Sequence, residues 1–371
     1  MMGGVRGKVM KWVVMLVILP AIVAGGALWW RVNAQVKRLL TPTHALYAGY
    51  ADIPEKVQGM KLTPFEVAGK DGVSIQACLV ESAGEGEALT PRQHALLARL
   101  QDTDTPVQQL SEIDYALVCV DWDHGIRSAL PMAEELAAAG ITCVLWEPRG
   151  ANSARPYCTH GLQESRDIPV IIDALEKRKG KAGLMIVGVG KGYGAGLMLH
   201  AAADEPRLRA IVAIDAAASL NKLLKRANVS TLMRELIGWR MNQLTGLEPF
   251  DIAAVKSAAL ISRETPTLLV HLGDEQSVGT LEDSIAIFTQ LKSERRMLIT
   301  PRTAKDAADA EKRSISYTHE GGTREIVQSI DIELADNAEN ILSDILQWLN
   351  DSVSTLQEAP PPTGAAAIPE K

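Results

Sequence analysis

The stretch "LMIVGVGKGYGAGLMLHAAADE", Leu184 to Glu205, decides the fold. It begins with a short apolar run that is typical of a buried strand, and a glycine-rich turn and a helical pattern follow. Many α/β enzymes hold a nucleophile on such a strand–turn–helix unit, because the sharp turn exposes one side chain. Between Val187 and Leu199, however, the sequence has no Ser, Cys, Thr or Asp. The turn therefore predicts an enzyme-like fold without its usual nucleophile.

Strand and helix patterns alternate on both sides of this turn. The other runs typical of strands are Tyr115–Trp122, Ile141–Pro148, Arg209–Ala217, Thr265–Glu275 and Arg295–Thr300. Such alternation predicts an α/β fold with a mostly parallel central sheet and helices on both faces. Two alternating apolar runs around Asp71-Gly72 predict an N-terminal hairpin. Residues 218–265 break the rhythm, and we expect them to form a helical cap insertion.

The N-terminus predicts a membrane anchor. The segment from Trp12 to Trp30 has no charged residue, and as a helix it would span roughly 28 Å, close to the roughly 30 Å hydrocarbon core. Tryptophans at both ends suit the two membrane interfaces. We expect a single-pass transmembrane helix within residues 1–31 and a domain on the exported side. A cleaved signal peptide, whose apolar core usually has about 7–15 residues, and a buried helix of a soluble protein are the alternatives.

The rest of the chain divides into three parts. We expect a juxtamembrane linker at 32–64, an α/β domain at 65–351, and a disordered Pro/Ala-rich tail at 352–371. The net charge is −7 without a Lys/Arg-rich run, which excludes nucleic acid as an expected partner. The four cysteines have no metal-ligand spacing, so we expect them to be buried thiols and expect no metal site. We also expect no cofactor.

Three motifs, taken in order, resemble the serine peptidase/esterase branch of the α/β-hydrolase superfamily. They are "DHGIRS" at 123–128, "EPRGANSARPYCTHGLQESRDI" at 147–168, and "GKGYGAG" at 190–196. The second contains the family spacing Thr-x-Gly-x-x-Glu-x-x-Asp, from Thr159 to Asp167. The resemblance covers roughly 65–349. It implies an oxyanion loop formed by His124, Gly125 and Ile126.

The resemblance also implies that "GKGYGAG" is the nucleophile elbow, Gly-x-Ser-x-Gly. Two registers fit, with Gly192 or Gly190 at the nucleophile position, and both give glycine. Relics of the other triad members would be Asp274 as the acid and His319 as the base. Glu275, Gln276 and Asp215 also lie near the positions where the resemblance places the acid of the triad. We interpret His271 as a histidine at the end of a strand.

Three hypotheses about function follow. The first is a membrane-anchored, catalytically lapsed hydrolase that binds a small acyl or peptide ligand or a protein partner. The second is a working ester or peptide hydrolase with a displaced nucleophile, either Ser128, which also suits a helix N-cap, or Ser153. The third is a nucleotide-binding domain that uses the GxGxxA turn from Gly190 to Ala195 with Asp215 on the ribose. A Walker A loop is excluded, because Lys191 is followed by glycine.

Overall fold

The computed structural model describes most of the predicted domain and part of its N-terminal helix. The described residues are 14–41, 56–57, 59–69, 72, 74–83, 93–94, 96–98, 110, 112–120, 125–147, 157–249, 252–272, 278–299, 317–319, 322–324 and 339–358. The strands are β1 (Lys56–Val57), β2 (Met60–Ala68), β3 (Ser74–Ser82), β4 (Tyr115–Cys119), β5 (Cys143–Trp146), β6 (Ile186–Lys191), β7 (Leu208–Ile214), β8 (Thr267–Val270), β9 (Arg296–Ile299), β10 (Tyr317–His319) and β11 (Gly322–Arg324). The helices are α1 (Leu19–Leu40), α2 (Gly125–Ala138), α3 (Ile168–Lys179), α4 (Tyr193–Asp204), α5 (Leu220–Arg226), α6 (Thr231–Thr245), α7 (Ala254–Ala258), α8 (Leu281–Gln290) and α9 (Glu339–Glu358).

The described part of the chain forms a mixed α/β structure around a nine-stranded sheet of order β1-β2-β3-β5-β4-β6-β7-β8-β9. The strands from β5 through β4 to β9 are parallel, while β2 and β3 pair antiparallel as a hairpin in which Ala68 faces Ser74. The mostly parallel sheet and the N-terminal hairpin predicted from the sequence are both confirmed. A separate two-stranded sheet joins β10 to β11.

Apolar side chains cover both faces of the sheet. In β7, Ala210, Val212 and Ile214 lie in one buried cluster, whereas Ile211 and Ala213 lie in the other, as the two-residue period of a strand requires. Helices α2 and α9 contribute to the first cluster, and α3, α4, α7 and α8 contribute to the second. The prediction of helices on both faces is confirmed.

The N-terminal helix has two parts with different surroundings. The large apolar side chains from Met15 to Trp30 are exposed, whereas Val32, Val36 and Leu40 are buried against the helices that follow β7. The helix therefore does not end near residue 31, where the sequence places the start of a linker. It continues to Leu40, because the i, i+4, i+8 spacing of these three side chains gives it an apolar stripe facing the domain.

The predicted cap insertion, residues 218–265, contains the helices α5, α6 and α7, which lie between β7 and β8. Ser219 and Ser230 cap α5 and α6, and each side chain accepts a hydrogen bond from the backbone N–H three residues on. The third helix of the insertion, α7, packs against α4 and α8 and thus belongs to the main body.

The C-terminal helix α9 extends beyond the predicted start of the tail at residue 352. Val353 and Leu356 are buried in the first cluster, so the helix continues to Glu358 in order to cover that face of the sheet. The boundary at 351 is corrected accordingly, and residues 359–371 lie outside the described part of the chain.

Candidate functional site

The turn between β6 and α4 has the conformation of a sharp elbow. Its central residue is Gly192, with φ 56° and ψ −113°, and the Gly192 N–H donates to the Ile214 carbonyl oxygen on β7 at 2.7 Å. A positive φ with this ψ is strained for residues with a side chain and costs glycine little. The turn residue of the unit is therefore Gly192, while Gly190 lies within β6.

The glycines two positions before and after the turn have no room for a side chain. A Cβ built on Gly190 would lie 2.3 Å from the Gly194 carbonyl oxygen, and one built on Gly194 would lie 1.9 Å from the Cys119 carbonyl oxygen. Strand β6, helix α4 and the end of β4 thus approach one another backbone to backbone. This close approach is the physical reason for the Gly-x-Gly-x-Gly pattern.

An aspartate–histidine pair lies at the same edge of the sheet as the turn. Asp215 follows β7 and is fully buried, and its Oδ1 atom accepts from the Leu272 backbone N–H at 2.9 Å and lies 3.1 Å from Nδ1 of His271, which follows β8. Asp215 also has a positive φ of 52°. Parallel strands place their carboxyl ends at one edge, so β6, β7 and β8 bring Gly192, Asp215 and His271 to neighbouring positions.

Sequence reasoning treated Asp215 and His271 as separate residues and missed their pairing. The two are 56 positions apart, and each one alone suits a strand end. The signal that could have found the pair is the position of both residues directly after buried apolar runs in consecutive strands.

The Thr-x-Gly-x-x-Glu motif is a structural loop centred on a buried carboxylate. Glu164 accepts from the backbone N–H and the hydroxyl of Thr159, both at 2.7 Å, and from the Gly161 N–H at 2.9 Å. Gly161 has φ 97°, and a Cβ there would lie 3.1 Å from the Leu197 Cα on α4. Burial raises the pKa of Glu164 although these hydrogen bonds oppose that shift. The motif holds the loop before α3 against the elbow helix.

The cysteines offer no replacement nucleophile. All four are free and buried, as the sequence predicts. Cys158 lies beside Tyr193, the first residue of α4, and burial together with the Glu164 carboxylate raises the pKa of its thiol well above the ordinary value. A thiol of this kind stays protonated and unreactive.

The residues of the predicted oxyanion loop are described only in part. Gly125 and Ile126 form the first turn of α2, where Ile126 is buried in the core. Ser128 lies inside α2, three residues after its start, so its predicted N-cap role is wrong. His319 is described only as backbone in β10. The predicted site residues His124, Ser153, Asp274, Glu275 and Gln276 lie outside the described residues.

The described residues contain no group of three or more His, Cys, Asp or Glu side chains that could hold a metal ion.

Comparison with known proteins finds likeness in structure alone. No family model matches the sequence, and no curated protein matches it either. The esterase Pf2001 of Pyrococcus furiosus is similar to this chain, with a TM-score of 0.50 and 15% identity over 74% of this chain and 94% of the esterase. The acylaminoacyl peptidase of Pyrococcus horikoshii is also similar, with a TM-score of 0.46 and 14% identity over 67% of this chain and 38% of the peptidase. A 2,6-dihydroxy-pseudo-oxynicotine hydrolase is similar with a TM-score of 0.46 and 12% identity over 65% of this chain and 61% of the hydrolase.

The identities of 12–15% are too low to transfer an activity, so the likeness concerns the fold alone. The resemblance seen in the sequence is confirmed at the level of the fold: this chain has the α/β-hydrolase fold.

Proposed function

We propose that this chain is a membrane-anchored protein of the α/β-hydrolase fold that binds an acyl or peptide ligand, or a protein partner, without hydrolysing it through the elbow. The observation that carries the proposal is Gly192 at the turn, between Gly190 and Gly194. This arrangement matches the register in which Gly192 takes the place of the nucleophile.

The chemistry of acyl transfer explains why this position matters. A hydroxyl or thiol at the elbow attacks the carbonyl carbon, and backbone N–H groups stabilise the oxyanion. Glycine has no side chain to attack with. Removing the nucleophile from a serine protease lowers kcat by about 10⁶. Binding does not need a nucleophile, and the first N–H groups of α4 have no acceptor within the helix and can donate to a ligand.

The membrane anchor is supported by the exposed part of α1. The segment Met15–Leu40 is long and apolar enough to cross a membrane, and among the described residues its large apolar side chains from Met15 to Trp30 are between 38% and 73% exposed. A soluble protein rarely exposes so large an apolar surface, which counts against a buried helix. Small residues at Gly25 and Ala27, or at Val32 and Ala34, could serve a signal peptidase. Cleavage after Ala34 would remove Val32 from its buried cluster, whereas cleavage after Ala27 would not. We propose that the anchor is retained and that the domain lies on the exported side.

Covalent labelling of the full-length chain in detergent micelles tests the proposal. The unmodified chain, Gly192→Ser and the control Gly196→Ser, which places a hydroxyl on α4 where there is open space, are incubated with an alkyl fluorophosphonate and read by intact mass. We expect no adduct on the unmodified chain or on Gly196→Ser. An adduct on the unmodified chain would refute the proposal. An adduct on Gly192→Ser would show that the oxyanion pocket and a base remain.

One observation favours a second candidate function, a hydrolase with a displaced nucleophile. The Asp215–His271 pair is an acid–base arrangement beside the elbow, and Ser128 and Ser153 are the nearest candidate nucleophiles in the sequence. Peptide mapping of a labelled unmodified chain would identify the serine. The nucleotide-binding hypothesis has less support, because Asp215 is fully buried and its carboxylate already bonds His271 and Leu272.

A further inference from the structure

The cap helix α6 leaves two large apolar side chains uncovered on one face. Leu232 is 65% exposed and Trp239 is 51% exposed. The two residues are seven positions apart, so they lie on the same side of the helix, two turns from each other. Leu236, between them, is partly buried. We call Leu232 and Trp239 the outer face of α6.

The outer face of α6 is continuous with the end of the exposed apolar part of α1. The Trp239 and Trp29 rings make an edge-to-face contact, with their centroids 5.9 Å apart. Arg240 holds the two helices together, because its guanidinium stacks on Trp29 at 5.3 Å and its Nε donates to the Asn33 side chain at 2.9 Å. Trp239 therefore lies at the level of Trp29.

This level is where a bilayer crossed by α1 would end. Trp30 is exposed and Arg31 follows it, whereas Val32 is 1% exposed within the domain. Tryptophan and arginine are typical of the boundary between hydrocarbon and headgroups. A residue held beside Trp29 by a ring contact and a shared arginine is consequently held at the membrane surface.

The charge of the cap also suits a membrane surface. Helices α5 and α6 of the cap carry five basic side chains and one acidic side chain, Glu235, and α1 adds three basic side chains after Trp30. Two of the five, Lys222 and Arg226, pair with Asp283, and the others are available to headgroups. The whole chain has the opposite balance, with 38 basic and 45 acidic residues. Basic residues next to a membrane segment attract anionic headgroups.

We propose that the outer face of α6 inserts into the headgroup layer of the bilayer that α1 crosses, and that the basic side chains of the cap contact its anionic lipids. This inference rests on the proposed membrane anchor. The cap is then a second, peripheral contact with the membrane. The domain lies against the bilayer surface and is not connected to it through α1 alone.

Site-specific fluorescence on the full-length chain in phosphatidylcholine/phosphatidylglycerol vesicles tests the proposal. The four native thiols are buried, so an environment-sensitive thiol dye reacts at an introduced cysteine. Trp30→Cys reports on the anchor, and Leu232→Cys and Trp239→Cys report on the outer face of α6. Leu260→Cys is the control, because Leu260 is an equally exposed apolar residue, 68% exposed, beside α7.

The quencher is a lipid with a nitroxide near its headgroup. We expect at least about twofold quenching at 30, 232 and 239, since interfacial helices bury their apolar face at that depth, and little change at 260. Quenching at 30 without quenching at 232 and 239 would overturn the inference and leave the anchor intact. No quenching at 30 would instead refute the anchor. A dye at 232 or 239 that is shielded from iodide but not quenched by the lipid would indicate a protein partner and would also overturn the inference.

Discussion

Replacing Gly194 by alanine should destabilise this protein strongly, whereas the same replacement at Gly196 should not. The new Cβ at 194 would lie 1.9 Å from the Cys119 carbonyl oxygen, while ordinary contacts begin at 3.4 Å. Helix α4 and the end of β4 would have to separate by roughly 1.5 Å to restore contact distance. Overpacking between movable side chains costs about 1–3 kcal/mol. Here both sides are backbone, so we expect a loss of at least about 3 kcal/mol.

Thermal unfolding of the detergent-solubilised chain, followed by circular dichroism, measures this difference. A loss of this size lowers Tm by at least about 5 °C in a domain of this length, whose unfolding entropy is about 0.6 kcal/mol per kelvin. At Gly196 a Cβ meets open space, and alanine is the better helix former by up to about 1 kcal/mol, so Tm should stay or rise slightly. Equal melting of Gly194→Ala and the unmodified chain would refute the close approach of β4 and α4, and with it the explanation of the elbow glycines.

Three further predictions concern buried groups. Burial lowers the pKa of His200 to about 4, below the unfolded value of 6.5, so neutral His200 adds to the folding stability above pH 6.5 and this stability is lost as the pH falls towards 4. Denaturant titrations should therefore show about 2 kcal/mol less stability at pH 5 than at pH 7 because of this residue. His200→Gln should remove that difference between the two pH values. Burial raises the pKa of Glu147 to about 7, so the protonated carboxyl adds to the folding stability below pH 4.5 and this stability is lost as the pH rises through 7. Glu147→Gln should therefore stabilise the chain at pH 8 by about 1 kcal/mol, after allowance for the partial exposure of the side chain, and should leave the stability at pH 4 unchanged. The four cysteines should react with Ellman's reagent only on unfolding, and a fast-reacting thiol in the native chain would contradict their burial.

The sequence predicts the sheet well because its signals are local. The runs in β4 to β8 are mostly apolar, as is typical of strands covered on both faces, and the Gly-rich turn after β6 requires a backbone that only glycine adopts cheaply. The hairpin also follows from a local signal, since Gly72 has φ 77° between two alternating runs. In each case the residues that decide the structure are within a few positions of one another.

The site and the N-terminal helix are less predictable because their decisive contacts are distant in sequence. Hydropathy marks the exposed half of α1 and misses the half from Val32 to Leu40, whose apolar side chains are buried beside α5 and α6. Arg240 contacts Asn33 across 207 positions. A hydropathy pattern carries no information on such a partner, so it does not predict that the helix continues to Leu40.

In the elbow motif, the fold requires the flanking glycines, whereas nucleophilic chemistry requires a particular side chain at the central position. Gly190 and Gly194 are required by the backbone contacts around them, and these contacts are the same whichever residue occupies 192. A side chain at position 192, with φ 56° and ψ −113°, adds strain of about 1–3 kcal/mol that an active hydrolase must tolerate. Glycine at 192 relieves that strain while the turn, the sheet and the cap keep their geometry. Glycine at position 192 therefore leaves the fold at least as stable as a residue with a side chain would, and the presence of the flanking glycines is evidence for the fold and not for catalysis.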